Sequence, residues 1–286
     1  MNQTLYSIQM DDIAQKKLFN AFQEFLVDEH PQYAKWQLKP ENCTITCYES
    51  GKVVFQGKDA QVYASAFLSK TLDTFPQAGS DEVGTGDYFG PVCVCACIVE
   101  EKDQAFLEKL GVRDSKQLTD KDIISIAPKL MKKLTYSLLI VDNKKYNSVH
   151  GTTNMNAIKA KLHNQAYINL NKKKTLPKLI VIDQFAPETQ YYNYLKNDKI
   201  IQRGIHFETK AEDKYPAVGA ASVIARYAFL QSMDQMESKY KMSFHKGAGI
   251  KTDEDAQKFI DRYGFKRLSE VAKVHFKNTE KIKKES

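Results

Sequence analysis

The sequence predicts an α/β fold in two parts: a small N-terminal α+β unit and a larger α/β domain on a mixed central sheet. Three observations carry this. Two short apolar runs, Val92-Cys93-Val94-Cys95-Ala96-Cys97-Ile98-Val99 and Lys178-Leu179-Ile180-Val181-Ile182, have the length of strands buried on both faces. Longer stretches with helical spacing of apolar residues alternate with such runs. The stretch from Thr71 to Ala78, with Pro76, is the best linker in the chain. The expected division is therefore 1–72, a linker over 73–78, and a second domain over 79–286.

In the first unit, residues 4–9 alternate as a strand, and Asp11 or Asp12 caps a helix with Ala14, Leu18, Ala21, Phe22 and Phe25 on one stripe. His30-Pro31 ends that helix. Short strands are expected near 33–37, 43–48 and 52–56, the last two joined by the turn Glu49-Ser50-Gly51-Lys52. Asp59 caps a second helix reaching about Leu72. Tyr48, Ser50, Lys52, Gln56 and Lys58 cluster around glycines, where lysines and amides can meet a sugar–phosphate backbone. A plain hairpin with polar tips explains the same residues.

In the second unit, residues 79–91 read Gly79-Ser80-Asp81-Glu82-Val83-Gly84-Thr85-Gly86-Asp87-Tyr88-Phe89-Gly90-Pro91, two adjacent carboxylates entering a glycine-bracketed turn. After the buried strand come a Ser/Thr/Asp-rich start at 112–119, a helix over about 120–133 and a strand at 136–141. A helix follows from Asn154 to Leu170, on Met155, Ile158, Leu162, Ala166 and Ile168. Asp183 ends the second apolar strand, and a strand near 200–208 precedes Lys210-Ala211-Glu212-Asp213. The small-residue run 217–225 starts a helix able to pack its backbone close to the sheet, and helices near 253–263 and 267–273 complete the pattern.

Composition narrows the function. With 42% hydrophobic and 27% charged residues the chain is a globular protein, and no segment approaches the ~18 apolar residues of a membrane span. The opening residues lack a signal-peptide pattern and the chain lacks a cysteine framework, which points to the cytoplasm; a monomer with neither membrane nor obligate protein partner is expected. Cys93, Cys95 and Cys97 share one face of a strand and no Cys-x-x-Cys pair exists, so these and Cys43 and Cys47 read as small buried hydrophobes in the reduced state. The net charge of +7, from 42 basic and 35 acidic residues, permits a polyanionic partner without requiring one. Its clusters, 172–174 and Lys281, Lys283 and Lys284, also fit a solvated loop and a frayed end.

Gathering the acids gives a chemistry. Adjacent parallel strands ending at Asp81 and Asp183 bring two carboxylates to one rim, and the approach to the 217 helix delivers Glu212 there. Several carboxylates without an arginine repel one another unless divalent cations lie between them. Oxygen donors select Mg²⁺ or Mn²⁺ over Zn²⁺. Two such ions about 4 Å apart clamp a phosphodiester between an activated water and a leaving oxygen.

Residues 81–91 resemble the signature of type 2 ribonucleases H, specifically ribonuclease HIII. Asp114-Ser115-Lys116-Gln117-Leu118 is similar to that family's Asp-Ser-Lys-x-Leu block. Lys210-Ala211-Glu212 with Ala220–Arg226 resembles its last acidic motif and following helix, and Ala272-Lys273-Val274-His275-Phe276 its C-terminal segment. The first unit resembles the family's TATA-binding-protein-like substrate domain. The resemblance implies an RNase H-like fold and endonucleolytic cleavage of RNA in RNA–DNA hybrids, with 5′-phosphate and 3′-hydroxyl products. Asp81, Glu82, Asp183 and Glu212 become the catalytic metal ligands for two Mg²⁺ or Mn²⁺ ions, Asp81 bridging and Glu212 on the water side. Asp213 is a competing register for the fourth acid. Gly84, Thr85 and Gly86 would read 2′-hydroxyls through backbone groups, while Lys116 and Ser115 would hold the strand.

Thr85 departs from the arginine of ribonuclease HII, which argues against efficient cutting at a single embedded ribonucleotide. His150, His163, His206, His245 and His275 are each weak candidates for a base, since metal-activated water needs none. The alternatives are ribonuclease HII-like junction cleavage and a non-catalytic hybrid-binding protein.

Overall fold

The computed structural model describes residues 4–10, 12–64, 75–112 and 117–285. The chain forms two compact units, Met1–Thr74 and Phe75–Ser286. In the first, β1 (Thr4–Gln9), β2 (Ala34–Leu38), β3 (Thr44–Tyr48) and β4 (Lys52–Gly57) make an antiparallel sheet in the order β1-β4-β3-β2. One face carries Ile45, Cys47, Val53 and Phe55 against Leu18 of α1 (Asp12–Phe22). Strand alternation then puts Thr44, Thr46, Lys52 and Gln56 on the opposite face. Helix α1 stops short of the expected His30-Pro31 end. Residues Gln23–Phe25 tighten into a 3₁₀ turn, and Leu26 bridges to Leu38, so the chain is already returning along β2. The second helix is described over 60–64; its expected continuation to Leu72 lies outside the described residues.

The second unit is a three-layer sandwich. Its sheet comprises β5 (Gln77–Val83), β6 (Val92–Val99), β7 (Thr135–Val141), β8 (Leu179–Asp183) and β9 (Ile205–Glu208), in the order β7-β6-β5-β8-β9. β5–β6 and β6–β7 are antiparallel, whereas β5–β8 and β8–β9 are parallel. Every residue of β6 is buried, because both faces of the strand are covered. Its odd-numbered cysteines pack toward α7 (Pro216–Tyr240), and Val92, Val94, Ala96 and Ile98 toward α5 (Met155–Lys173). All five cysteines are free and buried.

The remaining helices are α2 (Gln104–Lys109), α3 (Asp120–Lys133), α4 (Asn143–His150), α6 (Glu188–Tyr194), α8 (Ile250–Tyr263) and α9 (Lys277–Glu285). Thr119 and Asp122 close a reciprocal capping box at the start of α3, as the Ser/Thr/Asp-rich stretch predicts. Two expectations change. The strand near 200–208 begins only at Ile205, and 267–273 is not an α-helix: its first residues belong to a 3₁₀ segment, Phe265–Glu270, after which Ala272 bridges to Phe89 of the 84–91 turn. Among the described residues no helix is long and apolar enough to cross a membrane.

Candidate active site

The register of the parallel pair sets the geometry. Gln77 lies opposite Leu179 and Ser80 opposite Ile182, and one step further brings Asp81 level with Asp183. The two carboxylates thus leave neighbouring strands at the same end of the sheet, the end where open α/β folds place their ligands. Beyond β9, Lys210 adopts a left-handed conformation (φ 54°) that turns the chain into a 3₁₀ segment, Ala211–Asp213. The Ala211 amide donates to Asp183 Oδ1 (2.9 Å), which fixes that turn against β8. Glu212 is buried there and Asp213 is exposed. Asp81, Glu82, Asp183 and Glu212 line one cavity of about 300 Å³, joined by Ser222 and Arg226 of α7.

Helix α7 reaches Asp81 because Gly79 has no side chain. A Cβ there would stand 2.4 Å from Val218 N and 2.5 Å from Ala217 C, so the helix backbone lies directly on the strand. Ser222, one turn further along, hydrogen-bonds the Asp81 carboxylate.

Each acid has a distinct environment. Burial and the charges of Glu82 and Asp183 push Asp81 up to about 8, against the hydrogen bonds from Ser222 and the Glu82 amide. Burial and the neighbouring Glu212 and Glu82 push Asp183 up to about 6, against the Ala211 amide. Burial alone would raise Glu82 as well. The His163 and Lys159 contacts outweigh it and hold Glu82 below the usual carboxylate range. Lys159 forms an ion pair with Glu82 Oε1, and His163 Nε2 donates to Oε2 at 2.8 Å. Ser80 Oγ sits 2.8 Å from His163 Nδ1 and orients the ring. Phe185 covers the group, 4.0 Å from the Lys159 ammonium.

The donor set fits a hard divalent cation: four oxygen-bearing acids around one cavity, with both aspartates pushed up by burial and by neighbouring negative charge. The acids do not form a ready cage, and among the described residues no three His, Cys, Asp or Glu side chains do. Glu82 is turned toward Lys159 and His163, and Asp183 shares a hydrogen bond with Glu212.

The remaining candidates fall in several places. Gly84 has φ +95° and its Cβ would lie 2.1 Å from Pro91 O, so glycine is obligatory there. Gly86 is exposed, with open space where a Cβ would point, and Thr85 is half-buried beside it. Ser115 and Lys116 lie outside the described residues. Ser50, Lys52, Gln56 and Lys58 are exposed and Tyr48 half-buried, all in the first unit.

Four of the five candidate histidines are engaged away from the acids. His150 and His275 stack on each other with centroids 3.8 Å apart, His206 faces Glu208, and His245 bonds Asp255. His163 is at the site, as a partner of Glu82. Spacing along the sequence does not by itself join Lys159, His163, Ser222 and Arg226 to the acids. The available signal was a Lys and a His four apart on the buried side of α5, polar residues on a core-facing helix. Arg226 is neutralised by Asp120, to which it donates from Nε and Nη2, and it also donates to Leu118 O (2.9 Å).

Comparison with known proteins places this geometry among nucleases. The model of the family described as ribonuclease HII matches residues 78–279, and a domain of unknown function (DUF3378) matches 7–78. Ribonuclease HIII of Bacillus pumilus is 41% identical, covering 99% of this chain and 99% of its own length. That of Bacillus subtilis is 40% identical over 99% and 98%. The crystal structure of Bst-RNase HIII in complex with Mn²⁺ superposes with a TM-score of 0.74 at 36% identity, covering 98% of both chains. The ribonuclease H2 of Pyrococcus horikoshii gives 0.62 at 26% identity, over 74% of this chain and 98% of that one.

Proposed function

The chain belongs to the ribonuclease HIII family, and from that premise we propose that it is an endonuclease that hydrolyses the RNA strand of RNA–DNA hybrids, leaving 5′-phosphate and 3′-hydroxyl ends. The observation that carries this reading is the convergence of Asp81, Glu82, Asp183 and Glu212 on one cavity at the strand ends. These four residues would hold two Mg²⁺ or Mn²⁺ ions, with Asp81 between Glu82 and Asp183 as the shared ligand. When bound, the ions supply an activated water and neutralise charge on the leaving oxygen.

The chain's own residues do the rest. Ser222 orients Asp81, the Ala211 amide orients Asp183, and Lys159 with His163 keeps Glu82 ionised and aimed. The Gly84-Thr85-Gly86 turn is read as the place where backbone groups meet consecutive 2′-hydroxyls, the feature that separates RNA from DNA. Ser115 and Lys116 would hold the phosphates of the same strand. In the first unit, Tyr48, Ser50, Lys52, Gln56 and Lys58 are proposed as backbone contacts to the duplex, which raise affinity without taking part in the chemistry.

Thr85 offers a hydroxyl and a methyl where an arginine would offer a planar charged fork, so a lone ribonucleotide gets little grip. The test compares a hybrid containing four or more ribonucleotides with a DNA duplex containing one, in Mg²⁺ and in Mn²⁺. Cleavage of the first and poor cleavage of the second are expected. Equal rates would favour the ribonuclease HII-like reading, and no metal-dependent cleavage of either would leave a hybrid-binding protein.

A further inference from the structure

Lys273 belongs to a C-terminal motif that the chemistry above does not use, and its side chain is fully buried. Among the described residues its ammonium forms no ion pair. Instead Nζ donates to two backbone carbonyls, Asp87 O at 2.8 Å and Gly90 O at 2.6 Å. The Lys273 amide donates to Tyr88 O (2.8 Å), Gly90 N donates to Val271 O (3.0 Å), and Phe89 bridges Ala272. Asn143 Nδ2 adds a further donor to Gly90 O at 2.9 Å. The 87–90 limb is therefore bound along its whole length by a segment almost two hundred positions away.

Burying a lysine is costly, and desolvation pushes Lys273 down to about 7 despite the nearby Asp87 charge. A leucine would fill the space more cheaply but would take the lysine donor from Asp87 O and leave Gly90 O with Asn143 alone. A neutral amine still carries two N–H donors, so the two bonds survive loss of the charge.

The other limb of the same turn is Gly84–Gly86. Gly84 packs so tightly on Pro91 O that the two limbs close on each other. Where Asp87–Gly90 sits thus fixes where Gly84–Gly86 presents its backbone. We propose that Lys273 is a positioning residue for recognition of the RNA strand: it holds the 84–91 turn in the shape that discriminates hybrid from DNA duplex. The proposal rests on the reading of that turn as the 2′-hydroxyl contact. It assigns Lys273 no part in binding metal or in the chemical step.

The experiment measures equilibrium affinity of the full-length protein, in EDTA, for a short RNA–DNA hybrid and for a DNA duplex of the same sequence. Lys273→Met keeps the stem and removes the donors. It is expected to weaken hybrid binding about tenfold while changing DNA binding less than about twofold, so that the ratio of the two collapses. A merely structural lysine would lower both together, and an unchanged ratio overturns the proposal.

Should Lys273→Met fail to fold, Asn143→Ala removes the other donor to Gly90 O. It should shift the same ratio about two- to threefold, and no shift there overturns the proposal too. Gly86→Val separates the two levels, because its side chain enters open space and obstructs only an approaching strand. If it blocks hybrid binding while Lys273→Met leaves the ratio intact, the reading of the turn stands and the role of Lys273 falls. If Gly86→Val binds hybrid normally, both fall.

Discussion

Gly79→Ala tests how the site is assembled with the smallest possible change. The added Cβ would lie 2.4 Å from Val218 N, roughly 1 Å short of a comfortable contact. No rotamer relieves this, since the nearest atoms are helix backbone. The strand cannot yield either, being paired with Cys97 on one side and Val181 on the other. Helix α7 must therefore move away from β5. That motion strains the Ala217 N–H bond to Gln77 Oε1 (3.1 Å) and the Cys97 Sγ bond to Ala217 O (3.1 Å), and it draws Ser222 from Asp81.

Overpacking costs about 1–3 kcal/mol, and a backbone clash belongs at the upper end. For a domain of this size that is a fall in Tm of about 6–12 °C. A misplacement of about 1 Å at a reacting centre is worth about a hundredfold in rate. Thermal unfolding, with turnover of a hybrid at saturating Mn²⁺, checks both. A variant within about 2 °C and about twofold of wild type would show that α7 does not position Asp81 through this contact.

Three further outcomes are expected. Asp81→Asn should lower hybrid cleavage by at least about a hundredfold with hybrid affinity retained, because an amide cannot replace a shared anionic ligand; turnover within tenfold of wild type would refute that assignment. Lys159→Met should cost about 3 kcal/mol in urea unfolding with EDTA, by leaving Glu82 a buried charge with only His163 as partner, and less with Mn²⁺ present; equal losses in both conditions would mean that Lys159 only packs. Asp81 and Asp183 are raised to about 8 and about 6, above the ordinary aspartate range, so between that range and those values the folded metal-free protein holds protons that the unfolded chain has released. Its stability should therefore fall as pH rises from about 4 toward 8, while Mn²⁺ affinity, which requires those protons to leave, rises between pH 6 and 8. Calorimetry in buffers of different ionisation heat reads the proton release, and a flat affinity would contradict the burial argument.

Much of this site was legible because it is built from strand ends. Asp183 ends an apolar run, and Asp81 leads into the glycine-bracketed turn before another, so each sits where a strand gives way at the rim of the sheet. The small residues of 217–225 announced a close helix approach, which the structure realises at Gly79. Lys159 and His163 were harder. Their meaning depends on which face of α5 meets the sheet, and that helix is buried on too many sides for periodicity to decide. The short helices α2, α4, α6 and α9 leave little trace in the sequence because few apolar positions mark segments of that length, and their stability comes from packing. Lys273 was visible within a motif, but its partners are carbonyls, which carry no side-chain identity for a sequence to display.

The parallel pairing of β5 with β8 also bears on how the protein is made. The first antiparallel strands of the catalytic sheet, β5 to β7, can join as soon as they leave the ribosome, since each meets a neighbour in sequence. β8 must cross back over everything from β6 through α5 to reach β5, a closure that is entropically late and slow. Asp81 and Glu82 are synthesised early and wait for Asp183 and Glu212. A nascent or half-folded chain thus carries an incomplete set of the acids proposed to do the cutting, and on that assignment activity arrives only with the finished domain. For a proposed nuclease, that order of assembly keeps partly built molecules harmless to nucleic acid.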